Sequence, residues 1–259
     1  MTESSAVQLE FAGLSDVGRA RARNEDSFDL RPEAGLALVC DGMGGHAGGD
    51  IASRTVVETV VEVILRDGAA AADAEALIRT AIQQANLRLV GLNHNRGFPD
   101  GRGMGTTVVG LWRIAGSSRA LVFHAGDSRL YRLRGGELRQ ITRDHSLYQA
   151  WLDAGGHGQA PHRNIIVRAL GTTIDADPDV ETLAVAPGDL FLICSDGLSG
   201  MVSDQEVADI LGTGGELPAL CKRLVDLANE KGGHDNVTVV LARACSSLAR
   251  ANNSPARAS

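Results

Sequence analysis

The sequence predicts an α+β fold in which antiparallel β-sheet is covered by amphipathic helices, and three observations predict it. The apolar runs are short and bounded by Gly or Asp, as strands are. Between residues 119 and 141 three such runs follow one another through turns with no room for a helix, which demands antiparallel hairpins. The two longest segments of helical period sit side by side between the first and second runs, rather than alternating with strands as βαβ units would.

Taken in order, the first strand is read over residues 35–40. A helix follows over 49–66, with Ile51, Val56, Val60, Val63 and Ile64 on one stripe, and a second over 72–92, with Leu77, Ala81, Ile82, Ala85 and Leu89. Strands are then read over 106–114, 119–125, 129–134 and 137–141. Residues 142–168 are irregular, and their Gly-rich centre at 154–161 reads as a surface excursion. Strands at 180–185 and 190–194, a short helix at 203–211, a longer one at 216–231 and a last strand at 237–243 complete the pattern. Two packings satisfy it: two sheets face to face with helices on the outer faces, or one sheet with helices on one side.

The chain has 259 residues, 44% of them hydrophobic but only 3% aromatic, so aliphatic side chains must build the interior. A formal charge of −7 argues against non-specific binding of nucleic acid. No apolar run approaches the roughly 18 residues of a membrane span, and residues 1–11 lack the pattern of a signal peptide. A cytoplasmic protein with no membrane partner is expected. The four cysteines, Cys40, Cys194, Cys221 and Cys245, form no CxxC pair, so structural zinc is not expected. Cys40 and Cys194 lie inside apolar runs and read as small buried hydrophobes. One domain is expected over residues 7–245, with a disordered tail over 246–259.

The informative pattern is where the aspartates fall. Residues 36–40 run into Asp41-Gly42, 190–195 into Asp196-Gly197, and 121–126 into Asp127, while Asp235 leads directly into the apolar run from Val237. A single Asp at a strand end is explained by turn chemistry. Four of them converging would repel one another unless cations sat among them. Their hard oxygens suit Mg²⁺ or Mn²⁺ rather than zinc, and a carboxylate-bridged pair of such ions is a recurring device for phosphoester hydrolysis. A second cluster spans residues 21–26. There Glu25 and Asp26 could orient metal-bound waters and Arg21 could clamp a phosphate with its planar fork; a solvated, charged loop is the plainer alternative.

Eight stretches in order carry a resemblance to a known family. They are residues 18–27 (GRARARNEDS), 39–46 (VCDGMGGH), 104–107 (MGTT), 125–131 (AGDSRLY), 142–146 (TRDHS), 167–171 (VRALG), 194–198 (CSDGL) and 234–238 (HDNVT). Together they resemble the metal-dependent PPM (PP2C-like) protein serine/threonine phosphatases, in their bacterial stand-alone form. The resemblance implies a four-layer α-β-β-α sandwich and two core Mn²⁺ or Mg²⁺ ions. It implies that Asp41 bridges them, that the Gly42 carbonyl joins the first, and that Asp196 and Asp235 bind the second. Glu25 and Asp26 would act through water, Arg21 would bind the substrate phosphate, and Asp127 with Asp196 would form a third metal site. Residues 142–168 match the family's flap beside the active site. Direct attack of a metal-bridging hydroxide on phosphorus is expected, on phosphorylated proteins, by a monomer that opposes a Ser/Thr kinase.

One departure concerns the leaving group. The animal branch places a His, a proposed general acid, where this chain has Met43. His46 or a metal-bound water could protonate the alkoxide instead, and His46 could equally be a turn residue.

Rival readings are weaker. The GxGxxA pattern from Gly42 to Ala47 is a possible dinucleotide fingerprint, but the acid expected about 20 residues on would be Glu62, inside a helical stripe. No Cys is followed six positions later by Arg, and neither lysine sits in a phosphate-binding loop. A catalytically weak pseudophosphatase acting as a binding module is the remaining alternative; it would usually have lost a metal aspartate, and this chain has lost none. Asp144 is expected to start a helix and His145 to pack.

Overall fold

The computed structural model describes residues 7–44, 48–99 and 102–246. In chain order the strands are β1 (Val7–Asp16), β2 (Asp26–Arg31), β3 (Leu36–Met43), β4 (Gly105–Thr106), β5 (Val108–Arg113), β6 (Arg119–Ala125), β7 (Arg129–Arg134), β8 (Glu137–Gln140), β9 (Asp179–Ala184), β10 (Leu190–Cys194) and β11 (Val237–Ser246). The α-helices are α1 (Gly49–Asp67), α2 (Ala74–Asn95), α3 (Leu147–Asp153), α4 (Asp196–Ser199), α5 (Asp204–Gly212) and α6 (Leu217–Glu230).

The strands form two antiparallel sheets. One has the order β1-β11-β10-β7-β8; the other runs β2-β3-β5-β6-β9, with β4 pairing the end of β3. Side-chain alternation decides between the two packings left open by the sequence. In β3, Ala37 and Val39 face the same buried layer as Phe191 and Ile193 of β10, Leu130 of β7 and Val240 and Ala242 of β11. That layer lies between the sheets. The alternate residues Leu36, Leu38 and Cys40 pack instead on Val56, Val60, Ile64, Ile78, Ile82 and Leu89 of α1 and α2. Leu192 and Cys194 likewise turn outward onto Leu220 and Leu224 of α6. The result is a four-layer α-β-β-α sandwich, and it explains the uninterrupted apolar runs: both faces of the central strands are buried. Full burial of one such aliphatic side chain contributes about 1.5–3 kcal/mol. Cys40 and Cys194 are fully buried, as expected of small hydrophobes.

Three features differ from the sequence reading. β1 and β2 were not foreseen. β1 alternates cleanly only at its start and then passes through Ala12-Gly13, and β2 is a six-residue segment with three charged side chains. The expected strand at 106–114 is broken at Thr107, whose hydroxyl accepts from the Asp41 amide at 3.0 Å. Within 142–168 a helix, α3, forms behind an N-cap at Ser146, whose hydroxyl accepts from Gln149 N–H. Asp144 therefore does not start it. His46, and all but the first residue of the expected tail, lie outside the described residues.

Candidate metal centre

The sandwich brings five carboxylates to one edge. β3 carries Asp41 near its end there, and its antiparallel neighbour β2 begins there with Asp26, directly opposite in register. β10 ends there and hands on to Asp196, while its partner β11 starts just after Asp235. The fifth, Asp127, sits in the turn from β6 to β7, where the chain crosses from one sheet to the other. The charges of Asp26, Asp196, Asp127 and Asp235 all act on Asp41.

The electrostatics are those of an anion cluster in want of cations. Burial, followed by repulsion from its four acidic neighbours, raises Asp41 well above the usual carboxylate range. Burial and the charge of Asp235 raise Asp196, which the Asp41 carboxyl partly relieves by a hydrogen bond. Asp26 is pushed up to about 7 by burial, against the hydrogen bonds it accepts. Asp127 is also pushed up to about 7, by burial and then by Asp196. Two buried oxygens here, Oδ1 of Asp26 and Oδ1 of Asp127, have no hydrogen-bond partner among the described residues. An orphaned buried carboxylate oxygen is costly. A divalent cation answers both the orphaned atoms and the repulsion, and the all-oxygen donor set fits Mg²⁺ or Mn²⁺.

Backbone packing keeps the remaining donors close. A Cβ on Gly49 would lie 2.8 Å from the Gly42 carbonyl oxygen and 2.9 Å from Oε1 of Glu25. The Gly42 carbonyl and the Glu25 carboxylate thus meet at the first residue of α1, in space only glycine leaves free. Arg21, half exposed, reaches the cluster by donating from Nη2 to Oδ2 of Asp235 at 2.6 Å. A cavity of about 370 Å³ opens beside Asp26, lined also by Asn24, Asp29 and Arg54. Of the residues singled out from sequence, Arg21, Glu25, Asp26, Asp41, Gly42, Asp127, Asp196 and Asp235 meet here.

A surrounding shell of hydroxyls and amides was not assigned from sequence. Ser195 and Thr238 both donate to Oδ2 of Asp26, at 2.8 and 2.6 Å. Asn236 accepts from the Glu25 N–H and donates to the carbonyls of Val17 and Arg23, tying the segment that carries Arg21 to β11. Ser53 donates to the Glu25 carbonyl at 2.6 Å. Thr107, besides its bond to Asp41 N–H, shares a hydrogen bond with Ser128 at 2.7 Å, joining two of the acidic turns. The available signal was a polar residue adjoining an Asp at the end of an apolar run. Asn236 and Ser195 both fit it.

Fold and site together define a carboxylate-lined centre at the rim of an α-β-β-α sandwich. A family profile described as protein phosphatase 2C matches residues 18–244, and the chain belongs to that family. It is 40% identical over 243 residues to the serine/threonine protein phosphatase PstP of Mycobacterium tuberculosis, covering 90% of this chain and 45% of that protein. The chain thus spans less than half of that relative's length. It is 35% identical to the serine/threonine phosphatase stp of Listeria welshimeri, with 88% of this chain and 92% of the relative covered. Among solved structures, PppA of Pseudomonas aeruginosa superposes with a TM-score of 0.81 at 38% identity, covering 92% of this chain and all of the other. The catalytic domain of PstP, solved in complex with two manganese ions, superposes with a TM-score of 0.82 at 35% identity, covering 93% and 100%.

Proposed function

We propose that this chain is a metal-dependent protein serine/threonine phosphatase that hydrolyses phosphoserine and phosphothreonine in phosphorylated proteins. One observation carries the proposal: five carboxylates from five separated segments meet at one edge, with buried oxygens on Asp26 and Asp127 that no group among the described residues satisfies. The family assignment and the manganese held by the PstP catalytic domain support it.

Asp41 would be shared by two cations, Mn²⁺ or Mg²⁺, with the Gly42 carbonyl on one and Asp196 and Asp235 on the other. Glu25 and Asp26 would act through water, and Asp127 with Asp196 would hold a third, weaker ion. When bound, such ions lower the pKa of a water and offset charge on the phosphate oxygens. The protein's own residues do the rest. Arg21, paired with Asp235 through one nitrogen only, keeps donors free for the substrate phosphate. Asn236, Ser53 and Thr107 hold the segments so that little reorganisation is needed when substrate arrives. His46 or a metal-bound water would protonate the leaving alkoxide, and an unchanged pH–rate profile in His46→Ala would remove His46 from the mechanism.

One phosphatase domain over residues 7–245 is proposed, working as a cytoplasmic monomer against a Ser/Thr protein kinase. No helix among the described residues is long and apolar enough to cross a membrane. The test is hydrolysis of a phosphothreonine peptide by the purified protein. Activity should require Mn²⁺ or Mg²⁺, vanish in EDTA, and fall by a factor of about 10²–10³ in Asp196→Asn, in line with loss of a charge-stabilising group in a catalytic site. Metal-independent hydrolysis, or a fully active Asp196→Asn, would overturn it.

A further inference from the structure

Helix α2 carries Gln83, Asn86 and Asn93 at helical spacing on one face. Their carboxamides all bond backbone. Gln83 donates to the Ile174 carbonyl at 3.0 Å and accepts from the Ala176 N–H at 2.8 Å. Asn86, fully buried, donates to the carbonyls of Thr173 and Ile174 at 2.9 and 3.0 Å and accepts from the Gly171 N–H at 2.7 Å. Asn93, also buried, donates to the carbonyls of Met104 and Gly171 at 2.8 and 3.1 Å and accepts from the Met104 N–H at 2.8 Å. The irregular loop over 171–176 is thus fixed from the helix beneath it. Buried amides satisfied in this way hold a backbone in one conformation.

What the fixed loop presents is apolar. Ile174 is 59% exposed, and Phe98, just beyond α2, is 38% exposed. Phe98 is itself held, its N–H donating to the Asn93 carbonyl at 3.1 Å. Between them lies a cavity of about 560 Å³, lined by Val90, Phe98, Pro99, Thr172 and Ile174, with no Asp, Glu, Lys or Arg among its lining residues. The cavities beside Asp26, Asp179 and Glu10 each carry several such charges. Apolar surface that stays both open and rigid marks a place where something binds. The position of the groove says what. A Cβ on Gly105 would lie 3.4 Å from Cγ2 of Thr172 and 3.3 Å from Cγ of Met43, so the two side chains meet across that glycine. Met43 pairs with Gly105 in register and directly follows Gly42, whose carbonyl belongs to the metal centre. An apolar path therefore leads from the metal centre, over Met43 and the Thr172 methyl, into the groove. A phosphoprotein with its phosphate among the carboxylates has to lay the flanking residues on the surface around them.

We propose that the groove between the end of α2 and the 171–176 loop is a substrate subsite, which takes a large aliphatic side chain of the phosphoprotein carried in extended chain to one side of the phosphorylated residue. Ile174 and Phe98 are its specificity-determining residues, and Gln83, Asn86 and Asn93 are the positioning residues that keep it open. The proposal rests on the phosphatase reading above and adds to it a preference in the substrate sequence.

The experiment measures kcat/KM of the full chain in Mn²⁺ on phosphothreonine peptides built of serine and alanine. A single leucine is walked over about six residues on either side of the phosphothreonine, a reach of about 20 Å in extended chain. In wild type, leucine at one position, or at two positions of the same strand face, should raise kcat/KM about tenfold over the parent peptide, mainly through KM, as an apolar group in an apolar pocket does. Ile174→Lys should reduce that gain to less than about twofold and come to prefer glutamate over leucine at the same position, because the new charge stands at the groove wall. Phe98→Ala should cut the gain at least about threefold, and Ile174→Leu should keep it within about twofold. Ile174 and Phe98 are both exposed, and each comparison is a ratio within one enzyme, so a loss common to all peptides does not enter it. The proposal is overturned if no leucine position helps wild type, if Ile174→Lys or Phe98→Ala keeps the full gain, or if Ile174→Leu loses it. A wild-type dimer that Ile174→Lys dissociates would assign the groove to a second copy of this chain and overturn it as well. Failure of the phosphatase reading looks different: wild type would then hydrolyse neither the parent peptide nor p-nitrophenyl phosphate in Mn²⁺.

Discussion

In a metal-free buffer, Asp127→Asn should make this protein more stable. The Asp127 carboxylate is buried, carries an oxygen with no partner among the described residues and is pushed up to about 7 by burial and by Asp196. In the unfolded chain the same group titrates near its ordinary value of 3.8. Between those values the folded state binds a proton that the unfolded state has released, so stability falls as pH rises through that window and stays low above it. At 1.36 kcal/mol per pH unit, the ionised Asp127 costs the fold about 4 kcal/mol above pH 7. Asparagine removes the charge but leaves an amide to be satisfied, so a net gain of about 2–4 kcal/mol is expected. For a chain of this size that is about 4–16 °C in Tm. The assay is thermal unfolding in EDTA at pH 8 and pH 5. The variant should gain most at pH 8, and wild type itself should be more stable at pH 5 than at pH 8. With saturating Mn²⁺ the order should shrink or reverse, because ligand bound only to the folded state stabilises it. An Asp127→Asn variant no more stable than wild type in EDTA at pH 8 would refute the reasoning.

Further outcomes follow from the same geometry. Gly49→Ala places a Cβ against Oε1 of Glu25 and the Gly42 carbonyl, so it should weaken Mn²⁺ activation at least tenfold with little change in the far-ultraviolet circular dichroism. Asn236→Ala frees the segment carrying Arg21 and leaves the Glu25 N–H without its acceptor; stability should fall by about 1–3 kcal/mol in urea denaturation. Arg21→Ala should raise KM for a phosphopeptide more than it lowers kcat, and Arg21→Lys should recover only part, because a point charge does not replace a planar fork.

Much of the site was legible because its main acids lie where apolar runs stop. Asp41, Asp196 and Asp235 adjoin strands whose core residues face both the inter-sheet layer and a helical layer, so those strands stand out as unbroken hydrophobic stretches. The four-layer arrangement was not forced by that pattern alone and came from the family resemblance; Ala37 and Val39 facing one layer and Leu36 and Leu38 the other bear it out. β2 escaped notice because Asp26, Asp29 and Arg31 break its apolar pattern. Asp144 was misassigned for a related reason. An Asp three residues before a helix resembles a cap, yet its side chain is claimed by Arg129, fifteen residues back. Local chemistry favours one partner and tertiary contact supplies another. The hydroxyls of Ser195, Thr238 and Thr107 belong to the same class: each is an ordinary strand-end residue until the sheets bring Asp26 and Asp41 to it.

The central claim is that these carboxylates exist to hold a pair of divalent ions. Diffraction from crystals soaked in Mn²⁺, with data collected on both sides of the manganese absorption edge, addresses it most directly. Two strong anomalous peaks, about 3.5–4 Å apart as in other two-metal hydrolases, should flank the Asp41 carboxylate, one beside the Gly42 carbonyl and the other beside Asp196 and Asp235. A single peak away from Asp41, or manganese found only at His124, His145 and Asp179, would contradict it.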